Sequence, residues 1–111
     1  MTEITFNKNA FLATLEAMLT KFELASNSFT LESPASGDQF ILTAIRKDGP
    51  EVKAFGPCEV RGEPISIRFD GPELQESIAK THKGSNAENV TLIVGDGLWV
   101  KEPLPTYTVT L

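Results

Sequence analysis

Ile4-Thr5-Phe6-Asn7-Lys8-Asn9-Ala10-Phe11-Leu12, near the start of the chain, and Ile65-Ser66-Ile67-Arg68-Phe69-Asp70-Gly71-Pro72-Glu73-Leu74, past its midpoint, share one plan. Each begins with a short strand, ends that strand on Asn or Asp, and runs into a helical pattern. In the first, Ile4 and Phe6 alternate with polar residues, the mark of a half-buried strand. Asn7 is the expected N-cap. Phe11, Leu12, Leu15, Met18, Leu19 and Phe22 then recur at spacings of three and four, which predicts a helix over residues 8–22 with one apolar stripe. In the second, Asp70 is an acidic cap, Pro72 sits near the first turn, and Glu73 places a carboxylate where the helix dipole favours it. Leu74, Ile78 and Thr81 form a thinner stripe, and the spacing predicts a helix over residues 72–83, with Gly84 as its C′ residue.

The segments after the two helices are also alike. Past the first, residues 29–32, 40–45 and 52–55 read as strands, separated by Pro34-Ala35-Ser36-Gly37-Asp38 and Lys47-Asp48-Gly49-Pro50. Gly56-Pro57 marks a kink or bulge before residues 58–60. Arg61-Gly62-Glu63-Pro64 connects the halves. Past the second helix, residues 90–94, 98–101 and 106–111 read as strands. Gly95-Asp96-Gly97 is the hairpin turn between the first two, and Pro103-Leu104-Pro105 breaks the next pair. The expected fold is therefore α+β: an internally duplicated β-α-β-β-β unit, with pseudo-repeats over about 2–60 and 64–111 of one domain. Because the connector is short, the halves are expected to share one continuous, curved, mostly antiparallel sheet with both helices on one face.

The whole chain sets bounds on function. Its 111 residues suit one hydrophobic core, and 41% hydrophobic with 23% charged residues is a globular composition. A formal charge of −5 argues against indiscriminate nucleic-acid affinity but allows a local basic face. A single cysteine, Cys58, excludes an intrachain disulfide and a multi-cysteine metal site. The opening Met-Thr-Glu-Ile has no basic segment leading into an apolar one, and no apolar run is long enough to span a bilayer. The expectation is a cytoplasmic protein with no membrane partner.

Candidate chemistry is sparse. His82, in the last turn of the second helix, reads as a partly exposed helix-end residue rather than a general base. Cys58 has Glu59 beside it and no cationic neighbour in sequence, so it reads as structural. Glu73 and Glu76 lie three apart on a polar helix face, the pattern of a solvated surface. Asp96 alone lacks the other oxygen ligands that calcium needs, and Gly95 and Gly97 belong to no phosphate-loop pattern. No enzymatic activity, metal or cofactor is expected. Trp99 lies opposite Leu98 and Val100 by alternation, so one face of its strand is a candidate contact surface. In residues 106–111, Tyr107, Val109 and Leu111 share a face, and at a sheet edge this strand would invite pairing with another chain.

The doubled plan, carried by the two stretches quoted first, the hairpin over residues 89–101 and the strand ending at Leu111, resembles one domain of a DNA sliding clamp, the ring-shaped processivity factor of replicative polymerases. The resemblance covers nearly the whole chain and is architectural, with no signature motif. It implies helices lining a central hole, strands outside, and ring closure by pairing of edge strands. It also implies that Lys8, Lys21, Lys80 and Lys83 face double-stranded DNA. Clamp rings contain six such domains, two or three to a chain, so a chain with one would close a ring only as six copies. Glu16, Glu73 and Glu76 stand against the four lysines and leave that face near +1. Two readings are open. One is a non-enzymatic, self-associating accessory of DNA replication or repair that presents its helices to DNA, alongside replication proteins. The other is a clamp-fold protein-binding module or regulator that acts through an edge strand or the Trp99 face without binding DNA.

Overall fold

Two polar side chains start the two helices, and they do so identically. The computed structural model describes residues 1–34 and 38–103. In it the Asn7 side chain accepts a hydrogen bond from the Ala10 N–H at 2.9 Å. The Asp70 carboxylate accepts one from the Glu73 N–H, also at 2.9 Å. Each satisfies a backbone donor that the first helical turn leaves without an intrahelical partner. Helix α1 (Lys8–Lys21) and helix α2 (Gly71–Thr81) begin at these caps. Their leading buried residues occupy matching places beyond the cap: Phe11 and Leu15 in α1, Leu74 and Ile78 in α2. Both helices end slightly earlier than their periodicity predicts. Gly84 takes the left-handed φ of +77° expected of it, but it lies beyond the capping residue His82 by one more position than a C′ glycine would.

Among the described residues eight strands accompany the helices: β1 (Thr2–Asn7), β2 (Ser28–Ser33), β3 (Gln39–Ile45), β4 (Glu51–Pro57), β5 (Glu59–Arg61), β6 (Ile65–Asp70), β7 (Asn89–Val94) and β8 (Leu98–Val100). All pairings among them are antiparallel. They form two four-stranded sheets, β5-β1-β7-β8 and β4-β3-β2-β6, instead of the single sheet expected from the short connector. The duplication explains why. Each half lends its opening strand to the other: β1 pairs with β7, and β6 pairs with β2. The chain crosses between sheets at Cys58, between β4 and β5, which is where the Gly56-Pro57 signal anticipated a kink. Gly62, in the connector, takes φ +123°, and a β-carbon there would fall within 2.8 Å of the Thr2 hydroxyl, so no other residue fits this turn without strain.

The core lies between the helices and the inner faces of both sheets. Alternation along the strands sends Ile4, Phe6, Phe29, Leu31, Phe40, Leu42, Val90 and Leu92 inward, where all are buried. Phe6 stacks on Phe11 with ring centroids 4.1 Å apart, and Phe40 meets Phe11 edge-on at 5.7 Å. Helix α1 is thereby fixed to strands of both sheets. Gly56 stands directly opposite Phe40 in the β3–β4 ladder, and a β-carbon on it would lie 2.7 Å from that ring. The glycine makes room for the aromatic side chain that joins the sheets to the helix. Among the described residues, no helix is long and apolar enough to cross a membrane.

Candidate nucleic-acid interface

The helices lie side by side and antiparallel. Midway along the pair the Gln75 side-chain amide donates to the Glu16 carboxylate at 2.8 Å. At one end, Lys8 at the start of α1 lies close enough to His82, after the end of α2, for its charge to act on the imidazole. Lys80 and Lys83 flank His82 in sequence. The structure therefore gathers Lys8, Lys80 and Lys83 at one end of the helix pair. Lys21 closes the far end of α1, about 20 Å from Lys8 by helical rise.

The glutamates are not turned aside. The Glu76 carboxylate meets the Lys80 ammonium at 2.9 Å, one helical turn away, and this contact lowers the Glu76 pKa and raises that of Lys80. Glu16 is exposed on α1 and Glu73 on α2. The helix face is thus a mixed surface with three lysines at one end, and Lys80 already has a partner. The Gln75–Glu16 contact between helices was missed from sequence, since each residue reads separately as part of a solvated face.

On the sheet side, β4 pairs only with β3 among the described residues, so it forms an outer edge of its sheet. Phe55 on this edge is 59% exposed. Sequence reasoning offered residues 106–111 as a strand that would invite pairing if it lay at a sheet edge. That strand, with Tyr107, Val109 and Leu111, lies outside the described residues. Phe55 could have been noticed, because it shares the alternation of Glu51 and Lys53 rather than that of Val52 and Ala54. Trp99 is 52% exposed and pairs with Ile93 across the β7–β8 ladder, while Leu98 and Val100 turn inward as alternation predicted. Its ring covers Gly95 and Gly97 of the hairpin turn. The neighbouring Lys101 ammonium meets the Glu3 carboxylate at 2.9 Å and lowers the Glu3 pKa.

Cys58, read as structural, and His82, read as a partly exposed helix-end residue, differ in their surroundings. Cys58 is half-buried where the chain changes sheets, and burial, with Asp38 nearby, pushes its thiol pKa up, away from the reactive thiolate form. His82, expected to be partly exposed, is instead buried at 6% exposure. The turn after α2 folds back over it, with the Ser85 N–H donating to the His82 carbonyl at 2.9 Å and the Lys8 N–H to the Glu88 carbonyl at 2.9 Å. Neither ring nitrogen has a partner among the described residues, and burial, with the Lys8 charge, lowers its pKa.

An antiparallel helix pair lying across two sheets, each completed by a strand from the opposite half, can be compared with solved structures. The DNA polymerase sliding clamp from Caulobacter crescentus superposes with a TM-score of 0.75 at 17% identity, over 95% of this chain and 27% of the clamp. The fold is the sliding-clamp fold. The DNA polymerase III subunit beta from Pseudomonas aeruginosa matches with a TM-score of 0.73 at 13% identity, over 91% of this chain and 27% of the other. The DNA polymerase III subunit beta sliding clamp from Bartonella birtlesii matches with a TM-score of 0.70 at 15% identity, over 95% of this chain and 32% of the other. The chain thus spans about a third or less of the length of the clamps it matches. No family model matches the sequence, and no curated protein does.

Proposed function

We propose that this chain is a non-enzymatic, clamp-like accessory of DNA replication or repair, acting in the cytoplasm. It associates with further clamp domains through its sheet edges and turns its helices toward DNA. The observation that carries this reading is the clamp fold itself, matched over 95% of the chain, with β4 at an edge of its sheet among the described residues and both helices accessible. The nearly balanced helix face fits this role better than it fits direct DNA affinity. A protein that holds DNA by neutralising phosphates needs many cations, and its binding weakens steeply with salt. One that encloses a duplex needs only enough positive charge to keep the backbone nearby, and weak contacts leave it free to slide.

The pairing of Lys80 with Glu76 and the exposure of Trp99 support a second reading, in which the same fold binds a protein and no DNA. Light scattering over a range of concentrations, then retention on circular and linearised DNA, separates the two. A species of six times the 12.1 kDa chain mass, retained on circles and lost when they are cut, is the expected result. A monomer at every concentration that ignores DNA overturns the first reading in favour of the second.

A further inference from the structure

We propose that a groove on the outer face of the β4-β3-β2-β6 sheet, away from the helices, is a binding site for a phosphate group. The groove comes from an interruption in the β2–β3 ladder. Regular pairing ends at Thr30 opposite Thr43 and reappears only as the isolated bridge of Leu24 to Arg46. Residues 25–29 therefore stand against residues 44–45 alone, and the three surplus residues bow away from the ladder. Two hydrogen bonds hold the bow open: the Ala25 N–H to the Ile45 carbonyl and the Gly71 N–H to the Asn27 carbonyl, both at 2.8 Å. The space that results, about 340 Å³, is lined by Ser26, Ser28, Thr30, Thr43 and Arg68, together with Ala44, Ile45 and the acidic Glu51.

These side chains form a set of donors. The Ser26 hydroxyl oxygen accepts from the Ser28 N–H at 3.2 Å, which leaves its own proton to give. Arg68 uses one N–H, on the Ser28 hydroxyl at 3.3 Å, of the five a guanidinium carries. Thr43 lines the groove, but its hydroxyl oxygen is buried and has no partner among the described residues, so a ligand reaches it only after a rotation about χ1, and without one the unpaired group costs stability. Lys53, Thr43, Thr30 and Arg68 form one outward-facing row across the four strands, so a cation stands at each end of a pair of hydroxyls. The Lys53 ammonium lies 3.7 Å from the Glu51 carboxylate and offsets the negative charge that Glu51 brings to the lining. Two prongs of an arginine saturate a carboxylate. A tetrahedral phosphate has further oxygens to satisfy, and a guanidinium ringed by hydroxyls supplies those donors.

The test is an amide NMR titration of the whole chain with inorganic phosphate at fixed ionic strength, with chloride as the control. Saturable shifts at residues 25–30, 43–45 and 68, absent in chloride, are expected. Arg68→Gln and Thr43→Val should each weaken phosphate binding tenfold or more. Without phosphate, Thr43→Val should melt no lower than the parent, which shows that it folds and that the hydroxyl is retained for a ligand. An O-phosphoserine arm distinguishes a phosphorylated side chain from the free ion: tighter binding of either supports the site and names its source. Linear shifts shared with chloride, or variants that bind phosphate like the parent, overturn the proposal.

Discussion

At Gly71 the lack of a side chain decides how closely α2 can approach the sheet. A β-carbon there would lie 2.7 Å from the ring of Phe29, which is buried and stacked on Phe69 with centroids 5.7 Å apart. Gly71→Ala should therefore destabilise the protein by about 1–3 kcal/mol, the usual cost of overpacking, although alanine is the better helix former. Chemical denaturation measures this; unchanged stability would show that the Phe29 ring can move aside. The sequence marks Gly71 as part of a helix start but not as a close approach, because Phe29 comes from the other repeat. His82 raises the same issue. Counted from the helix caps, it takes the place that Leu19 holds in the first repeat, and it is buried there without a partner for its ring among the described residues. Its pKa is lowered from 6.5, first by burial and then by Lys8. As pH falls below 6.5 the unfolded chain binds a proton that the folded one refuses, so this group's contribution is intact above that pH and is lost on acidification. His82→Leu should consequently lose less stability between pH 7.5 and 5.5 than the parent. Equal losses would place the acid sensitivity elsewhere.

Helix boundaries, strand faces and the kink before Cys58 were legible at the level of elements, because caps, alternation and Gly-Pro signals act over a few residues. Partners were not. Alternation says which face of β1 is buried but not that its neighbour is β7 from the far end of the chain, so a single sheet was expected where two exist. The bow at residues 25–29 was equally hidden, since it appears only when β2 is set against β3. Where local signals do act, the two repeats should behave alike. Asn7→Ala and Asp70→Ala each remove one hydrogen bond of the same length at the same place in a helix, and each should cost about 1 kcal/mol. Asp70 also places a negative charge at the positive end of α2, so its substitution should be the costlier of the two at low salt, and the difference should shrink as salt is added. Denaturation of both variants at two ionic strengths checks this, and a gap that does not respond to salt would mean that the caps differ in packing rather than in charge.

For the molecule as a whole, the clamp fold separates two surfaces that can be altered independently. The β4 edge, unpaired on its outer side among the described residues, carries Phe55, while the lysine cluster sits on the helices. Phe55→Glu should leave the fold intact, because an exposed side chain contributes little to the core, yet it puts a charge where an assembling edge would bury an aromatic ring. Its expected effect is a lower mass in solution at every concentration, together with loss of retention on circular DNA. The double change Lys80→Glu and Lys83→Glu should act in the opposite way. It turns the Lys80–Glu76 attraction into a repulsion worth only about 0.2–0.5 kcal/mol on a helix surface, so folding and mass should be unchanged. The helix face, however, becomes acidic and should repel the phosphate backbone. Light scattering and DNA retention on the two variants therefore give a crossed result if the proposed function is right: one loses assembly and DNA together, the other DNA alone. If the lysine reversal leaves DNA retention untouched, the helices do not face DNA, whatever the assembly state. If Phe55→Glu leaves the mass unchanged, the β4 edge is not where the domains meet, and the self-associating reading gives way to the protein-binding one.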